Sequence, residues 1–242
     1  MRNDLAFNKT LDRRDLDTPE VIRVAREIAG TALWLWVKGI PFATNGVLRR
    51  RLRIRWNKMW EYARGEALGG FAPGMRILDF GGGATLPIFH LARRGCDVTS
   101  LDIDGPLTAH ADMVARRFNW KLAASTLDIT RDPPPADWAR FDRVISYCVI
   151  EHLSPTAQET VLGRLADLLV PGGRMMLTFD YGPDAPVGGA IRGPSRLDDL
   201  VRASGLRPMG KPGFLDTGER FVLDRKYSDR KFTFGALFLE KI

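Results

Sequence analysis

The chain has 242 residues, of which 45% are hydrophobic and 27% are charged, and its formal net charge is +7. This composition excludes a disordered or fibrous protein, and the length suits one large α/β domain or one domain with a cap. The longest apolar run, residues 28–37, covers about half of a membrane span, and the start lacks the apolar core of a signal peptide. We therefore expect a cytoplasmic location.

The positive charge is concentrated near the N-terminus. Residues 1–70 hold 14 Lys and Arg against 8 Asp and Glu, whereas residues 71–242 hold 22 against 21. Cys96 and Cys148 are isolated, which suits a reducing compartment and predicts neither a disulfide framework nor a cysteine metal site. We predict two parts, a basic and Trp-rich helical cap (residues 1–70) and an α/β body (residues 71–242).

The cap is predicted to contain a loosely held arm (residues 1–18) and two helices. The first helix covers residues 19–37, because Thr18 and Pro19 form a helix start and apolar residues then recur with helical period. The second covers residues 46–68 and carries an arginine run followed by aromatic residues. The tryptophans could simply pack the cap onto the body, or the cap could line a pocket for an acidic substrate or touch a membrane or nucleic acid.

Strands and helices alternate through the body, which predicts a parallel sheet with crossover helices. The predicted strands cover residues 76–79, 97–101, 121–127, 143–148 and 174–179. The predicted helices cover residues 86–94, 106–118, 155–169 and 195–204. Two final strands, near residues 220–224 and 231–240, predict an antiparallel C-terminal hairpin. The fold class is therefore α/β, a Rossmann-like doubly wound sheet with an N-terminal helical cap.

A glycine-rich turn, Asp79-Phe80-Gly81-Gly82-Gly83, joins the first strand of the body to its helix. Glycines allow the backbone to approach a ligand closely, and the helix N-terminus offers free N–H groups. A dinucleotide site would need a third glycine where the chain has Leu86. Since a carboxylate ahead of the turn would repel a pyrophosphate, we predict a ligand that carries positive charge and no phosphate.

Four features together resemble the class I S-adenosylmethionine-dependent methyltransferases. The glycine turn resembles the acidic first motif of that family, and Asp102 ends the second strand. Asp128 and Ile129 end the third strand, and Leu169-Val170-Pro171-Gly172-Gly173 resembles the turn before the fifth. The resemblance covers residues 71–242 and implies S-adenosylmethionine as methyl donor and S-adenosylhomocysteine as product.

The resemblance also implies which residues bind the cofactor. Asp102 lies 23 residues after Asp79, where this type of fold places an acid for the ribose hydroxyls, and Ile103 follows it. Asp128 and Ile129 are expected at the adenine. The predicted cofactor-binding residues are Asp79, Gly81, Gly82, Gly83, Asp102, Ile103, Asp128, Ile129 and Tyr147.

Glu151 and His152 follow the fourth strand and are the predicted catalytic residues. Methyl transfer to a hydroxyl requires removal of its proton, and His152 is the candidate general base. The pair could instead position the active-site loop. In the metal-dependent quinone-biosynthesis O-methyltransferases, a similar stretch reads E-x-x-E-H and binds a divalent ion. Here the first position is Cys148, so no metal ligand is predicted, although Asp180 could supply a second carboxylate and a divalent metal stays open.

The acceptor is predicted to contact Asp180 and Tyr181, at the end of the fifth strand, and Arg192. Arg192 lies in a Gly- and Pro-rich loop (residues 181–194) that could close over a substrate or be an inert connection. The first hypothesis is O-methylation of a small and possibly anionic acceptor: a sugar, nucleotide-linked sugar or glycan. The closing F-T-F-G-A-L-F-L-E-K is loosely similar to the tails of bacterial sugar methyltransferases.

Two alternatives remain. The cap could bring the enzyme to a membrane surface carrying a lipid-linked or quinone-like acceptor. The chain could instead be a non-catalytic regulatory subunit that binds S-adenosylmethionine. A nucleic-acid partner is not expected, because the basic residues form one local cluster without a recognised RNA-binding module. The sequence leaves the oligomeric state open.

Overall fold

A computed structural model of the chain describes residues 7–135, 138 and 140–242. Its strands are β1 (Lys9–Thr10), β2 (Phe42–Thr44), β3 (Val47–Arg49), β4 (Arg76–Phe80), β5 (Asp97–Asp102), β6 (Leu122–Thr126), β7 (Phe141–Tyr147), β8 (Leu169–Tyr181), β9 (Arg207–Pro208) and β10 (Thr233–Glu240). Its α-helices are α1 (Pro19–Val37), α2 (Trp56–Gly69), α3 (Leu86–Arg93), α4 (Gly105–Phe118), α5 (Pro155–Asp167) and α6 (Pro194–Ser204).

The main sheet has the strand order β1-β10-β8-β7-β4-β5-β6. The five strands from β8 to β6 are parallel, and β10 runs antiparallel to β8. The strand order reverses next to β4. The chain passes from β4 to β5 and β6 on one side, and it then returns to β7 on the other side of β4. In open α/β sheets, ligands bind at this switch point, beyond the carboxyl ends of the strands. The predicted Rossmann-like fold class is confirmed.

Helices cover both faces of the sheet, because each strand buries apolar side chains on both sides. Helices α1, α2, α3 and α4 share one apolar cluster with the sheet, and α5 and α6 share the other. Local sequence sets the helix starts. Asp104 and Ser154 accept hydrogen bonds from the backbone N–H groups of Leu107 (3.1 Å) and Ala157 (3.3 Å), and a proline occupies the first turn of each helix.

The N-terminal segment differs from the prediction in two places. The predicted loose arm is wrong from residue 7 onward, because Lys9 and Thr10 form β1 beside β10 and are buried; residues 1–6 lie outside the described part of the chain. The predicted helix over residues 46–68 begins only at Trp56. Asn45 and Gly46 both adopt positive φ, which makes the turn of a β2–β3 hairpin and prevents a helix there.

The predicted C-terminal hairpin is reduced to one antiparallel bridge. Strand β10 pairs with β8 on one side and with β1 and β9 on the other. Because that second side is occupied, residues 220–224 contribute a single bridge, Phe221 to Phe232. The antiparallel strand at the end of the chain is present, but it pairs with distant segments.

The predicted tight turn at residues 171–173 lies within a longer strand. Strand β8 already pairs with β7 at Leu169, and three extra residues form a bulge before the pairing resumes at Arg174. Strand β1 comes from the predicted cap but belongs to the main sheet. The division of the chain into two parts at residue 70 therefore stays a prediction. Among the described residues, no helix is long and apolar enough to span a membrane.

Candidate active site

The glycine turn after β4 needs glycine for conformation and for space. Gly81 and Gly83 adopt φ of 78° and 48°, in the left-handed region. A Cβ atom at Gly82 would lie 1.9 Å from Oδ2 of Asp79, and one at Gly83 would lie 2.9 Å from Oδ2 of Asp102. The turn thus brings two carboxylates against bare backbone at the carboxyl edge of the sheet.

Asp79 is buried at the end of β4, and its Oδ2 accepts a hydrogen bond from Ser100 Oγ (2.8 Å). Burial raises the pKa of Asp79 to about 7, against the lowering effect of Ser100, and the nearby Asp102 raises it further. A cationic ligand beside Asp79 would favour its charged form, which agrees with the ligand charge that the sequence predicts.

Asp102 and Ile103 form the second part of this edge. Asp102 Oδ1 accepts the backbone N–H of Asp104 (2.9 Å), which turns Oδ2 toward Gly83. Partial burial raises the pKa of Asp102. Ile103 exposes 74% of its side chain, which is unusual for an isoleucine and provides an apolar face beside the carboxylate. A ribose hydroxyl and an adenine ring are groups that such a pair can hold.

The third strand end departs from the prediction at Ile129. Its side chain is buried in the core and offers no exposed apolar face to an adenine ring. Asp128 is accessible, but Oδ1 already accepts the N–H and hydroxyl of Thr130 (3.0 and 2.6 Å), and Arg131 lies 3.4 Å from Oδ2. The Thr130 hydrogen bond lowers the pKa of Asp128 most. A cofactor role for these two residues stays a prediction.

Five side chains meet where β7 and β8 end beneath helix α2. We call them the carboxyl cluster: Lys58 and Glu61 of α2, Cys148 and Glu151 after β7, and Asp180 of β8. One ligand atom from each of Cys148, Glu151 and Asp180 lies within 4.8 Å of the others. Glu61 Oε1 lies 2.9 Å from the Lys58 ammonium, while its Oε2 accepts from Thr178 Oγ1 (2.7 Å) and Cys148 Sγ (3.1 Å).

Glu151 is the least satisfied member of the carboxyl cluster. Within the described part of the chain, its buried Oε2 atom has no hydrogen-bond partner. Burial, and then repulsion from Asp180, raises the pKa of Glu151 to about 8. Burial likewise raises the pKa of Asp180 to about 7, although Lys58 opposes the shift. Both carboxyls therefore take up protons near neutral pH, where an exposed Glu or Asp is ionised.

Lys58 is the only cation that the described residues bring into this cluster. Burial on its own would lower the pKa of Lys58, but the facing Cys148 and Glu61 raise it well above its usual value. The ammonium therefore stays charged and offsets the charge of Glu61. Its Nζ atom also lies 5.0 Å from the ring centre of Phe234 in β10, which fixes the end of the side chain.

Cys148 has a strained backbone at the head of the active-site loop. Its φ is 55°, a left-handed value that a residue with a Cβ rarely adopts. The backbone N–H of Cys148 donates to the carbonyl of Thr178 (3.0 Å), which holds the strained turn against β8. The turn places Glu151 in the carboxyl cluster, whereas the side chain of His152 is exposed and lies outside the cluster.

A catalytic role for His152 and a cofactor role for Tyr147 stay predictions. Partial burial, and then Lys58, lowers the pKa of His152, so its imidazole is neutral near pH 7. Tyr147 packs its ring against Tyr62 (5.4 Å between ring centres), and a Cβ at Gly65 would lie 2.5 Å from its hydroxyl. Tyr147 thus lines the base of α2, next to the carboxyl cluster.

The loop after β8 is docked against the active-site loop. Gln158 of α5 donates through Nε2 to the carbonyls of Ile150 (3.0 Å) and Gly189 (2.7 Å), so one side chain holds both segments. Tyr181 is buried against Phe214. Arg192 is exposed and donates to the carbonyls of Pro183 and Val187 within its own loop. Acceptor contacts by Tyr181 and Arg192 stay predictions.

The same cluster is poorly suited to a divalent metal. The Cys148 thiol donates a hydrogen bond to Glu61, and burial raises the pKa of this thiol well above its usual value. A cation would need that thiol deprotonated, and it would lie close to the Lys58 ammonium. Magnesium also prefers oxygen ligands alone. The residues present fit protonated carboxyls better than a divalent ion.

Comparisons with known proteins match the α/β part of the chain to methyltransferases. A methyltransferase-domain family matches residues 77–173, from β4 to the bulge of β8. A ubiquinone biosynthesis O-methyltransferase of Roseobacter denitrificans is 28% identical over 165 residues, covering 59% of this chain and 64% of that protein. An uncharacterized methyltransferase of Mycobacterium bovis is 36% identical over 104 residues, covering 43% of this chain and 50% of that protein.

Among solved structures, the [4+2]-cyclase SpnF superposes with a TM-score of 0.57 at 18% identity, covering 92% of this chain and 96% of that one. That likeness shows the fold alone, and the cyclase shows that this fold can serve another reaction. The matched family decides the identity of the domain.

Residues 77–173 form a class I S-adenosylmethionine-dependent methyltransferase domain. S-adenosylmethionine is the cofactor of the family, and the edge formed by Asp79, the glycine turn, Asp102 and Ile103 suits its cationic amino acid part and its nucleoside. The chain spans 64% and 50% of the length of the two relatives, so the acceptor and the activity toward it are treated as proposals.

Sequence reasoning missed Lys58 and Glu61. Their i, i+3 spacing resembles that of an ordinary surface ion pair, yet Glu61 is buried over β8. Their position depends on how α2 crosses the sheet, which no local pattern shows.

Proposed function

We propose that this chain transfers a methyl group from S-adenosylmethionine to a hydroxyl group of a small molecule bound at the carboxyl cluster. Within the described part of the chain, the buried Oε2 atom of Glu151 has no hydrogen-bond partner, and this observation carries the proposal. Glu151 follows β7, the strand that pairs with β4 next to the glycine turn. Val149, two residues earlier, packs directly over Gly81, which ties the two sites together.

Glu151 is proposed as the general base. When bound, S-adenosylmethionine supplies the methyl carbon; the acceptor oxygen bonds to it while the sulfur–carbon bond breaks and its electron pair stays on sulfur. The hydroxyl proton passes to Oε2 of Glu151. A carboxylate whose pKa is raised to about 8 is a far stronger base than an exposed glutamate, and near neutral pH its basicity matches the task.

The other members of the cluster tune that base. Asp180 also takes up a proton near neutral pH and can accept a second hydroxyl of the acceptor. Lys58 favours the ionised forms of both carboxyls, because its positive charge lowers their pKa values. His152, exposed and neutral, would then help to hold the loop, which is the alternative role that the sequence left open for the Glu-His pair.

Two acceptor classes fit the hydroxyl chemistry. A sugar, nucleotide-linked sugar or glycan would use the paired carboxyls to accept several hydroxyl protons. A quinone-like phenol is the second candidate. The Tyr62–Tyr147 ring pair beside the cluster offers an aromatic wall, and one relative is a ubiquinone biosynthesis O-methyltransferase.

The test compares wild type, Glu151→Gln and the surface control Glu219→Gln. Binding of S-adenosylmethionine is measured by calorimetry, and S-adenosylhomocysteine release is measured with nucleotide sugars and dihydroxybenzoates, with and without magnesium. We expect Glu151→Gln to bind the cofactor normally and to lose about 10²–10⁴-fold in turnover, the range for a general base.

Full turnover by Glu151→Gln would remove Glu151 as the base. Tight cofactor binding with no turnover of any acceptor would favour the non-catalytic regulatory role. Turnover that requires magnesium would overturn the description of the cluster as protonated carboxyls.

A further inference from the structure

We infer that the β2–β3 hairpin and the end of α1 form a docking surface for an anionic lipid bilayer. The surface, here called the basic hairpin surface, combines exposed apolar residues with exposed cations. Its apolar members are Leu33, Trp36, Val37, Val47 and Leu52, and its cations are Lys38, Arg49, Arg50, Arg53 and Arg55. The inference stands apart from the proposed reaction and does not depend on it.

The apolar part begins as a stripe on one helix. Leu33, Trp36 and Val37 are spaced i, i+3 and i+4 at the end of α1, so they share one face. They expose 49%, 43% and 64% of their side chains, although the opposite face of α1 is fully buried against the body. A helix face of this kind on a folded domain marks a contact surface rather than a packing defect.

The hairpin extends the stripe and adds charge. Val47 lies beside the Asn45-Gly46 turn and is 47% exposed, and Leu52 is 49% exposed. The two parts are joined directly: Arg50 Nη2 donates to the carbonyl of Trp36 (2.9 Å), and its guanidinium lies 5.5 Å from the Trp36 ring centre. Tryptophan and arginine side chains of this kind suit the polar headgroup layer of a bilayer.

Charge in this region is of one sign. Residues 28–60 contain seven basic residues and no acidic one, which equals the formal net charge of the whole chain. Only Lys58 among the seven is used inside the carboxyl cluster. The others can meet the phosphates of anionic lipids without an acidic neighbour in the same stretch of chain.

The surface is connected to the methyltransferase site. The N–H of Ala43 in β2 donates to the carbonyl of Ala84 (2.7 Å), at the end of the glycine turn, and His110 of α4 bonds the carbonyl of Pro41 (2.9 Å). Helix α2, which carries Lys58 and Glu61, begins just after the arginine run. Docking this surface would therefore bring the site close to acceptors at the bilayer surface.

The same observations disfavour two other occupants. A second copy of the chain would place like charges against each other, since a twofold contact repeats the same patch. Nucleic acid would engage the arginines but would leave the aliphatic Leu33, Val37, Val47 and Leu52 without a role, because phosphate contacts dominate such binding. An anionic bilayer satisfies the charge and the apolar stripe together.

The test is co-sedimentation of the full chain with phosphatidylcholine vesicles, with and without about 30% phosphatidylglycerol, in low and high salt. We expect binding to the anionic vesicles only, weakened by salt. Arg49→Glu with Arg53→Glu should weaken binding by well over an order of magnitude, since each basic residue near the surface contributes about fivefold. Leu33→Ser with Val37→Ser should weaken it in high salt too.

Two matched controls lie on α4, at exposed positions that do not belong to the basic hairpin surface. Arg116→Glu with Arg117→Glu changes the same net charge, and Met113→Ser removes an exposed apolar side chain; both should bind like wild type. Unchanged cofactor binding by every variant would show that each is folded.

The inference is overturned if the full chain fails to bind anionic vesicles in low salt, or if the α4 controls weaken binding as much as the hairpin variants. It is also overturned if sedimentation shows a dimer that the Leu33 and Val37 changes dissociate. Single-stranded RNA that displaces the chain from vesicles and binds independently of Leu33 and Val37 would replace the bilayer with nucleic acid.

Discussion

The two halves of the site are built in different ways. The cofactor side comes from short, contiguous segments, and its key features are backbone conformation and bare glycines against Asp79 and Asp102. The side that we propose binds the acceptor, called the acceptor side, gathers Lys58, Glu61, Glu151 and Asp180 from segments up to 122 positions apart and buries their charges. The cofactor side depends on the free space beside the glycines, and the acceptor side depends on buried charges. Substitutions in the two halves should therefore have different effects.

Replacing Lys58 by Met should produce the largest effect, and on the acceptor side alone. It leaves Glu61 as a buried, uncompensated charge, and breaking a buried ion pair costs about 3–5 kcal/mol. The pKa values of Glu151 and Asp180 should rise further, because Lys58 lowers both. Chemical denaturation measures the first effect, and the pH–rate profile, moved to higher pH, measures the second.

Lys121→Met, at an exposed position, is the control for that change. If Lys58→Met folds with wild-type stability and an unchanged pH–rate profile, the ammonium has no electrostatic role in the cluster. Lys58→Arg should recover most of the stability.

Replacing Gly82 by Ala should affect the cofactor side alone. The added Cβ would lie 1.9 Å from Asp79 Oδ2, so the carboxylate or the turn must move. We expect calorimetry to show no measurable S-adenosylmethionine binding, with a loss of about 1–3 kcal/mol of stability, as is typical of overpacking. Gly188→Ala, whose added Cβ would meet nothing within 4 Å, should bind normally. Normal binding by Gly82→Ala would mean that the turn does not hold the cofactor.

The difference between the halves also explains what the sequence could predict. Asp79, the glycines and Asp102 lie at strand ends in a fixed order, so the alternation of strands and helices is enough to bring them together. The residues of the carboxyl cluster that follow β7 or end β8 can be found for the same reason. Lys58 and Glu61 cannot, because their position depends on the packing of α2, which is a long-range property.

The errors in the fold have similar causes. Composition predicts a helix over residues 46–55, whereas the Asn45-Gly46 turn decides the local conformation. Adjacency along the chain predicts the C-terminal hairpin, but β1 and β9 occupy the free edge of β10. In each case the backbone geometry, or a strand from a distant part of the sequence, overrides the local pattern.

The last expected effect is a dependence of stability on pH, to which Glu151 contributes and which the difference between Glu151→Gln and wild type isolates. Folding raises the pKa of Glu151 from 4.5 to about 8 and that of Asp180 from 3.8 to about 7, so the folded state holds protons that the unfolded state has released. Their contribution is therefore fully present below about pH 4 and is lost as pH rises toward 8. Glutamine at position 151 keeps the neutral form at every pH. The melting temperature of Glu151→Gln, minus that of wild type, should accordingly grow between about pH 5 and pH 8, by about 2–4 °C for each kcal/mol gained. Glu219→Gln should show no such trend, and a constant difference for Glu151→Gln would mean that Glu151 does not take up a proton near neutral pH.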